Sequence, residues 1–182
     1  MTLIAICGAS ASGKTTLAKH LVDQFGLSKV VTTTTRPPRP GESERDYHFV
    51  SQLGFADQAR RGDFLEWTAF CGHLYGTTKA SVLVATQSSM AAVVVCTPHA
   101  LYKLSRWTRS QGFGFRSVFL LADRETLEQR LVERNVTSVV DERRLLSTDL
   151  QKSWSAMHPY DLVIQPTSLA ATVSDVGALI PA

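Results

Sequence analysis

Cysteine is scarce in this chain. Three occur in 182 residues, Cys7, Cys71 and Cys96, an odd number without metal-ligand spacing. That excludes a disulfide framework and a zinc module, and it fits reduced thiols in a cytoplasmic setting. Cys7 and Cys96 each end an apolar run and read as small core residues. Long apolar runs are missing as well. The longest, Met90 to Cys96, is far too short to cross a bilayer, so no membrane segment is expected. No basic leader precedes the apolar stretch Leu3–Cys7, so no signal peptide is expected. There is no run of basic residues to act as a nucleic-acid arm, no internal repeat and no low-complexity tract.

What is present fits one globular domain over residues 1–182, long enough for a sizeable core and 44% apolar. The net charge is only +3, yet Arg outnumbers Lys 13 to 6. Planar guanidinium groups suit a polyanionic ligand, although ordinary surface charge would produce the same composition.

Short β-type runs alternate with helical patterns. Leu3–Cys7 reads as a buried strand and Thr15–Phe25 as a helix with Leu17, Leu21 and Phe25 on one face. Lys29–Thr32 reads as a second strand, and the β-branched run Ala91–Cys96 as a strand buried on both faces. Then follow a helix over His99–Ser110, a strand at Arg116–Leu121, helices over Arg124–Arg134 and Asp141–Met157, a strand at Leu162–Ile164 and an Ala-rich helix. Such alternation predicts an α/β fold, five parallel strands wrapped by helices. Residues 34–79 break the rhythm with two Pro-rich turns, an alternating strand at Tyr47–Val50, a helix near Gln52–Arg61 and an aromatic strand at Phe64–Phe70. They read as an inserted, mostly β subdomain.

Gly8-Ala9-Ser10-Ala11-Ser12-Gly13-Lys14-Thr15 matches G-x-x-x-x-G-K-[ST] in full, with a strand before it and a helix after it. The glycines permit the loop's backbone angles, and its N–H groups converge on an anion at a helix N-terminus. Residues Ala9 to Thr16 are therefore expected to hold a nucleoside triphosphate, with Lys14 on the β- and γ-phosphates and the Thr15 hydroxyl on Mg²⁺.

A second constellation follows. Thr32-Thr-Thr-Thr-Arg36-Pro-Pro-Arg39-Pro-Gly41-Glu42 sets two arginines three apart, stiffened by prolines. Asp46-Tyr47-His48-Phe49-Val50, Phe64-Leu65-Glu66-Trp67 and Tyr75-Gly76-Thr77-Thr78 come after it. Singly, each could be a surface turn, a cross-strand aromatic or a solvent-facing strand residue. In this order they resemble the nucleotide-binding region of guanylate kinases, and the resemblance runs from residue 3 to about residue 165.

The resemblance implies a P-loop NTPase-type sheet with an inserted monophosphate-binding subdomain over 34–79 and a lid at 135–141, both closing on the substrates. The rest, 1–33, 80–134 and 142–182, would be the core. It implies that Arg36, Arg39, Tyr47 and Tyr75 hold the acceptor monophosphate. Glu66 would take guanine N1–H and the 2-amino group, with Thr77 and Thr32 toward O6. Leu127-Glu-Gln-Arg130-Leu-Val-Glu-Arg134 resembles the run leading into the lid. Arg130 and Arg134 would serve ATP, Arg134 lying against adenine, and Arg144 would reach the transferring phosphate. Gln165 stands where the family places an Asn near the ATP base. A carboxylate facing two adjacent donors is also a sound bidentate match for guanine on chemical grounds alone.

The chain departs from the family at the end of the Ala91–Cys96 run. Asp-x-Asp is replaced by Val95-Cys96-Thr97, so Thr97 stands at the second acid, beside the acceptor nucleoside. Asp123 offers a nearby charge, though a helix N-cap is its simpler use. The expected function is ATP-dependent phosphorylation of GMP or dGMP by a cytoplasmic monomer or homodimer. Two alternatives stay open: a kinase for another (deoxy)nucleoside monophosphate, such as a modified purine nucleotide, and a non-catalytic binding module.

Overall fold

A computed structural model describes residues 1–133 and 150–181. Its first strand, β1 (Thr2–Gly8), owes its place to composition: Leu3, Ile4, Ala5, Ile6 and Cys7 are all fully buried. A strand apolar on both faces belongs at the centre of a parallel sheet. The sheet contains β2 (Ser28–Lys29), β7 (Ala91–Val95), β1, β8 (Gly114–Leu120) and β9 (Leu162–Ile164), in that order and all parallel. Leu3, Ala5 and Cys7 face one half of the core with Val82, Leu104 and Phe119. Ile4 and Ile6 face the other, with Leu17, Leu21 and Val176. Each buried Leu, Ile, Val or Phe side chain contributes roughly 1.5–3 kcal/mol by leaving water, so the sheet is anchored by the strand that also carries the phosphate loop.

Helix α1 (Lys14–Phe25) buries Leu17, Ala18 and Leu21 against the second half-core. Phe25, expected on that face, is instead 45% exposed. Its ring lies over Gly177 of the terminal helix α7 (Leu169–Gly177), because α1 crosses α7 there and leaves no depth for an aromatic ring. The strand expected at Lys29–Thr32 is two strands. β2 stays in the main sheet, Val30 N–H still bonds Val93 O at 2.8 Å, and β3 (Thr32–Thr34) joins a second sheet.

That second sheet has the order β4 (Tyr47–Phe49), β3, β6 (His73–Thr78), β5 (Phe64–Phe70). β3 runs parallel to β4 and antiparallel to β6, which runs antiparallel to β5. Helix α2 (Gln52–Arg60) is capped by Ser51, whose hydroxyl accepts from Gly54 N–H, and it packs Phe55 on Phe64 at 4.4 Å between ring centroids. Two elements have no counterpart in the sequence reading, β6 and α3 (Lys79–Gln87). His73–Thr78 shows no apolar alternation, and α3 has a weak apolar stripe. Tertiary pairing decides both.

Helix α4 (Leu101–Ser110) follows a short turn at Pro98–Ala100. Helix α5 (Arg124–Glu133) is capped by Asp123, which accepts from Thr126 N–H and hydroxyl at 2.7 Å each. This hydrogen bonding holds the Asp123 carboxyl below its usual range. Residues 150–156 form helix α6. Arg134, Arg144 and the lid expected at 135–141 lie outside the described residues, as does most of the helix expected at 141–157.

Candidate active site

The chain leaves β1 into a turn that only certain residues tolerate. Gly8 has φ +151°, and a Cβ there would sit 2.6 Å from Leu120 O. Gly13 has φ +95° and opens α1 without any side-chain cap. Ala11 holds a left-handed φ of +64°, a strained state for a non-glycine residue of the kind found at functional loops. The start of α1 thus has no side-chain cap from Gly13, and helix N-termini of this kind attract anions. Lys14 Nζ folds over the loop and donates to Gly8 O at 3.0 Å and Ala9 O at 2.6 Å. Arg130, from α5, closes the other side by donating to Ala11 O at 3.2 Å. Ser10, Ala11 and Gly13 to Thr16 line a cavity of about 440 Å³. Ala9 and Ser12 are buried beneath it.

The opposite wall of the same cavity carries the second basic cluster. Thr32, Arg36, Arg39, Tyr47 and Tyr75 all reach it. Arg36 is only 6% exposed. Its guanidinium donates to both carboxylate oxygens of Glu42, at 2.9 and 2.8 Å, and to Pro37 O at 2.7 Å. It lies 5.3 Å from the Tyr47 ring centroid. Burial works against its charge, but the Glu42 hydrogen bond and the fields of Tyr75, Glu42 and Tyr47 hold its pKa above the usual value. Glu42 also accepts from Arg39 N–H at 2.8 Å. It fixes the turn bearing both arginines, a task that its place three residues after Arg39 did not reveal. Burial keeps Tyr47 a neutral phenol, so it can donate a hydrogen bond to an anion.

Glu66 and Thr77 pair across β5 and β6, with Thr77 hydroxyl donating to Glu66 Oε1 at 2.7 Å. Both are buried, and neither is on the cavity wall. Burial pushes the Glu66 carboxyl up, opposed by the Thr77 hydrogen bonds and by the charge of Lys103 on α4. Thr68 and Phe70, on the Glu66 face of β5, do reach the cavity. The end of β7 completes the wall with Val95, Cys96 and Thr97, whose hydroxyl is buried without a hydrogen-bond partner among the described residues. Cys96, expected in the core, is partly exposed into the cavity because β7 ends there. His99 and Trp154 also line it. Neither belongs to a motif, and no spacing points to them.

Gln165 is elsewhere. It lines a second hollow of about 540 Å³ with Ala122, Asp123, Arg124 and Gln151. Gln151 braces this hollow by accepting from Ala122 N–H at 3.1 Å and donating to Ala122 O at 2.6 Å.

A complete phosphate loop and a second cluster bearing two arginines thus line one cavity. Known proteins decide the family. The sequence model described as guanylate kinase matches residues 1–182. The guanylate kinase of Alkalilimnicola ehrlichii is 33% identical over 100% of this chain and 88% of its own length. That of Sus scrofa is 32% identical over 91% of this chain and 85% of its own length.

The chain belongs to the guanylate kinase family.

As a guanylate kinase-family member it is a nucleoside monophosphate kinase, an enzyme that phosphorylates GMP with ATP. The expected five-stranded parallel α/β sheet is borne out. A crystal structure of guanylate kinase from Anaplasma phagocytophilum shares the fold at TM-score 0.74, covering 98% of this chain and 83% of that one at 22% identity. This guanylate kinase fold accounts for the two sheets as well: the parallel one carries the phosphate loop, and the mixed one carries the paired arginines.

Proposed function

We propose that the cavity holds ATP on the phosphate-loop wall and GMP or dGMP on the arginine wall. A single observation carries this reading: Lys14, at the start of α1, and Arg36, in the loop after β3, line the same cavity. The acceptor's own phosphate oxygen attacks the γ-phosphorus. A P–O bond forms to the monophosphate as the bond to the ADP oxygen breaks. No general base is needed, since that oxygen is already anionic. The residues therefore act by positioning and by charge stabilisation. Lys14 and the open N–H groups of α1 hold the donor phosphates. Arg36, preset by Glu42, and Arg39 hold the acceptor phosphate, with Tyr47 and Tyr75 donating. On the family pattern Glu66 and Thr77, both buried off the cavity wall, and Thr32, which lines it, are assigned to the guanine edge, and Thr97 to the nucleoside. Arg130, Arg134 and Gln165 are assigned to ATP and Arg144 to the transferring phosphate, on the family pattern.

Among the described residues no three His, Cys, Asp or Glu side chains stand close enough to cage a metal ion. Mg²⁺ needs no such cage when triphosphate oxygens and water fill most of its octahedron. The exposed Thr15 hydroxyl, in the first turn of α1, would supply a protein oxygen to such an ion. The ion, when bound, screens charge on the phosphates. Among the described residues no helix is long and apolar enough to cross a membrane. With three free cysteines, the reading places the enzyme in a reducing cytoplasm.

The direct test is ADP release with ATP and each of GMP, dGMP, AMP, dAMP, UMP and TMP. Turnover confined to GMP and dGMP is expected. Preference for a pyrimidine or adenine nucleotide would overturn the base assignment. Arg36→Ala and Arg39→Ala should each raise KM for the monophosphate by about 10- to 100-fold, the 1.5–3 kcal/mol of a hydrogen bond to a charged group. KM for ATP should change little. Equal effects on both substrates would show that the two walls are wrongly assigned.

A further inference from the structure

Between the two phosphate walls, the main sheet ends on a pair of thiols. Cys7 Sγ lies 3.5 Å from Cys96 Sγ, and neither is in a disulfide. The sheet sets this separation. Ile6 pairs with Val95 on the adjacent parallel strand, and Cys96 N–H donates to Ile6 O at 3.1 Å. Cys7 is fully buried, whereas Cys96 lines the cavity beside Thr97. A small reagent in the cavity therefore meets Cys96 first and finds Cys7 directly behind it.

The chemistry of the pair narrows what it can bind. The hydrogen bond with Cys7, then burial, push the Cys96 thiol well up. Reactions that need a thiolate are slow at such a site. A four-coordinate metal ion is also poorly served, because no third His, Cys, Asp or Glu joins the pair among the described residues. What suits two neutral thiols is an electrophile that brings its own third substituent and removes both protons itself. Bonds of about 2.3 Å, the length of a zinc–thiolate bond, would close a 3.5 Å sulfur gap at an angle of about 100°. That is the shape of a pyramidal trivalent centre.

We propose that Cys7 and Cys96 form a bidentate site for trivalent organoarsenicals, and that occupation of it excludes nucleotide from the cavity. The reaction balances without an oxidant. The arsenic–oxygen bond of R–As=O breaks, two As–S bonds form, and the two S–H protons leave on the oxygen as water. Arsenic stays trivalent and neither sulfur is oxidised. The R group projects from Cys96 into the space between the phosphate loop and Arg36. The proposal does not depend on which monophosphate is the acceptor.

Phenylarsine oxide on the full chain provides the test, read by intact mass and by titration of free thiols. One adduct per chain is expected, consuming two of the three thiols. ATP and GMP together should slow its formation. A vicinal dithiol such as 2,3-dimercaptopropanol should reverse it, and 2-mercaptoethanol at equal thiol should not. Cys96→Ser should abolish the adduct and Cys71→Ser should keep it. Peptide mapping of the unmutated adduct should show arsenic bridging the Cys7 and Cys96 peptides, which removes any reliance on the fold of Cys7→Ser. An adduct that survives Cys96→Ser, requires Cys71 or maps to a single cysteine overturns the proposal. Because adducts are read by mass, failure of the kinase assignment would show separately, as absent turnover in the untreated enzyme.

Discussion

Lys14→Ala should lower kcat by about 10²- to 10³-fold, the cost of removing one preorganised charge donor from a transition state, or about 3–4 kcal/mol. The ammonium already sits over the loop, on Gly8 O and Ala9 O. With nucleotide present it has only to turn toward the β- and γ-oxygens. The side chain lies at the cavity edge and packs in no core cluster, so the fold should survive, as circular dichroism and an unchanged Tm would show. Turnover within a few-fold of the parent enzyme would remove the phosphate loop from the reaction and with it the assignment of Lys14.

Glu66→Gln should produce the second large effect, on the choice of base. The buried carboxylate already accepts from Thr77, and its remaining lone pairs can take guanine N1–H and the 2-amino group. Gln turns one acceptor into a donor facing a donor. A buried mismatch costs about 1–3 kcal/mol, a loss of about five- to a hundredfold in GMP affinity, and the gap between GMP and AMP should narrow. The pH dependence follows in sign. GMP binds the ionised carboxylate, and burial raises its pKa above the ordinary 4.5. GMP affinity should therefore be full near neutrality and fall as acidification passes through that raised pKa, where a protonated Glu66 behaves like Gln. KM for GMP measured against pH should show this acid limb in the parent enzyme and not in Glu66→Gln. An unchanged GMP-to-AMP ratio, or the same limb in both proteins, would show that another group reads the base.

Much of this was legible in the linear chain, for local reasons. The strand at Leu3–Cys7 announces itself because five consecutive apolar residues can be satisfied only by burial on both faces. The phosphate loop is legible because its glycines occupy positions where φ must be positive, and the observed +151° and +95° at Gly8 and Gly13 show that requirement. Asp123 reads as a helix cap because the cap hydrogen bond spans three residues, to Thr126. Other elements follow no local rule. His73–Thr78 becomes a strand because β5 and β3 flank it. Phe25 leaves the core because another helix crosses α1. Lys29–Thr32 divides because the chain changes sheet at Val30.

Local sequence is enough to show which groups this protein offers to phosphate and to a base, and at what spacings: a complete phosphate loop, two arginines three apart among prolines, and a Glu followed by paired threonines. These are short-range facts, since each motif spans thirteen residues or fewer. That these groups face one another is a property of the folded chain. Lys14 and Arg36 share a cavity because two sheets of different strand order meet over it. Arg36 is preset because Glu42 folds back onto it. Cys7 and Cys96, 89 positions apart, are neighbours because parallel strands bring distant sequence into register. Distance along the chain carries no information about such pairings. They are set by which buried surfaces fit together.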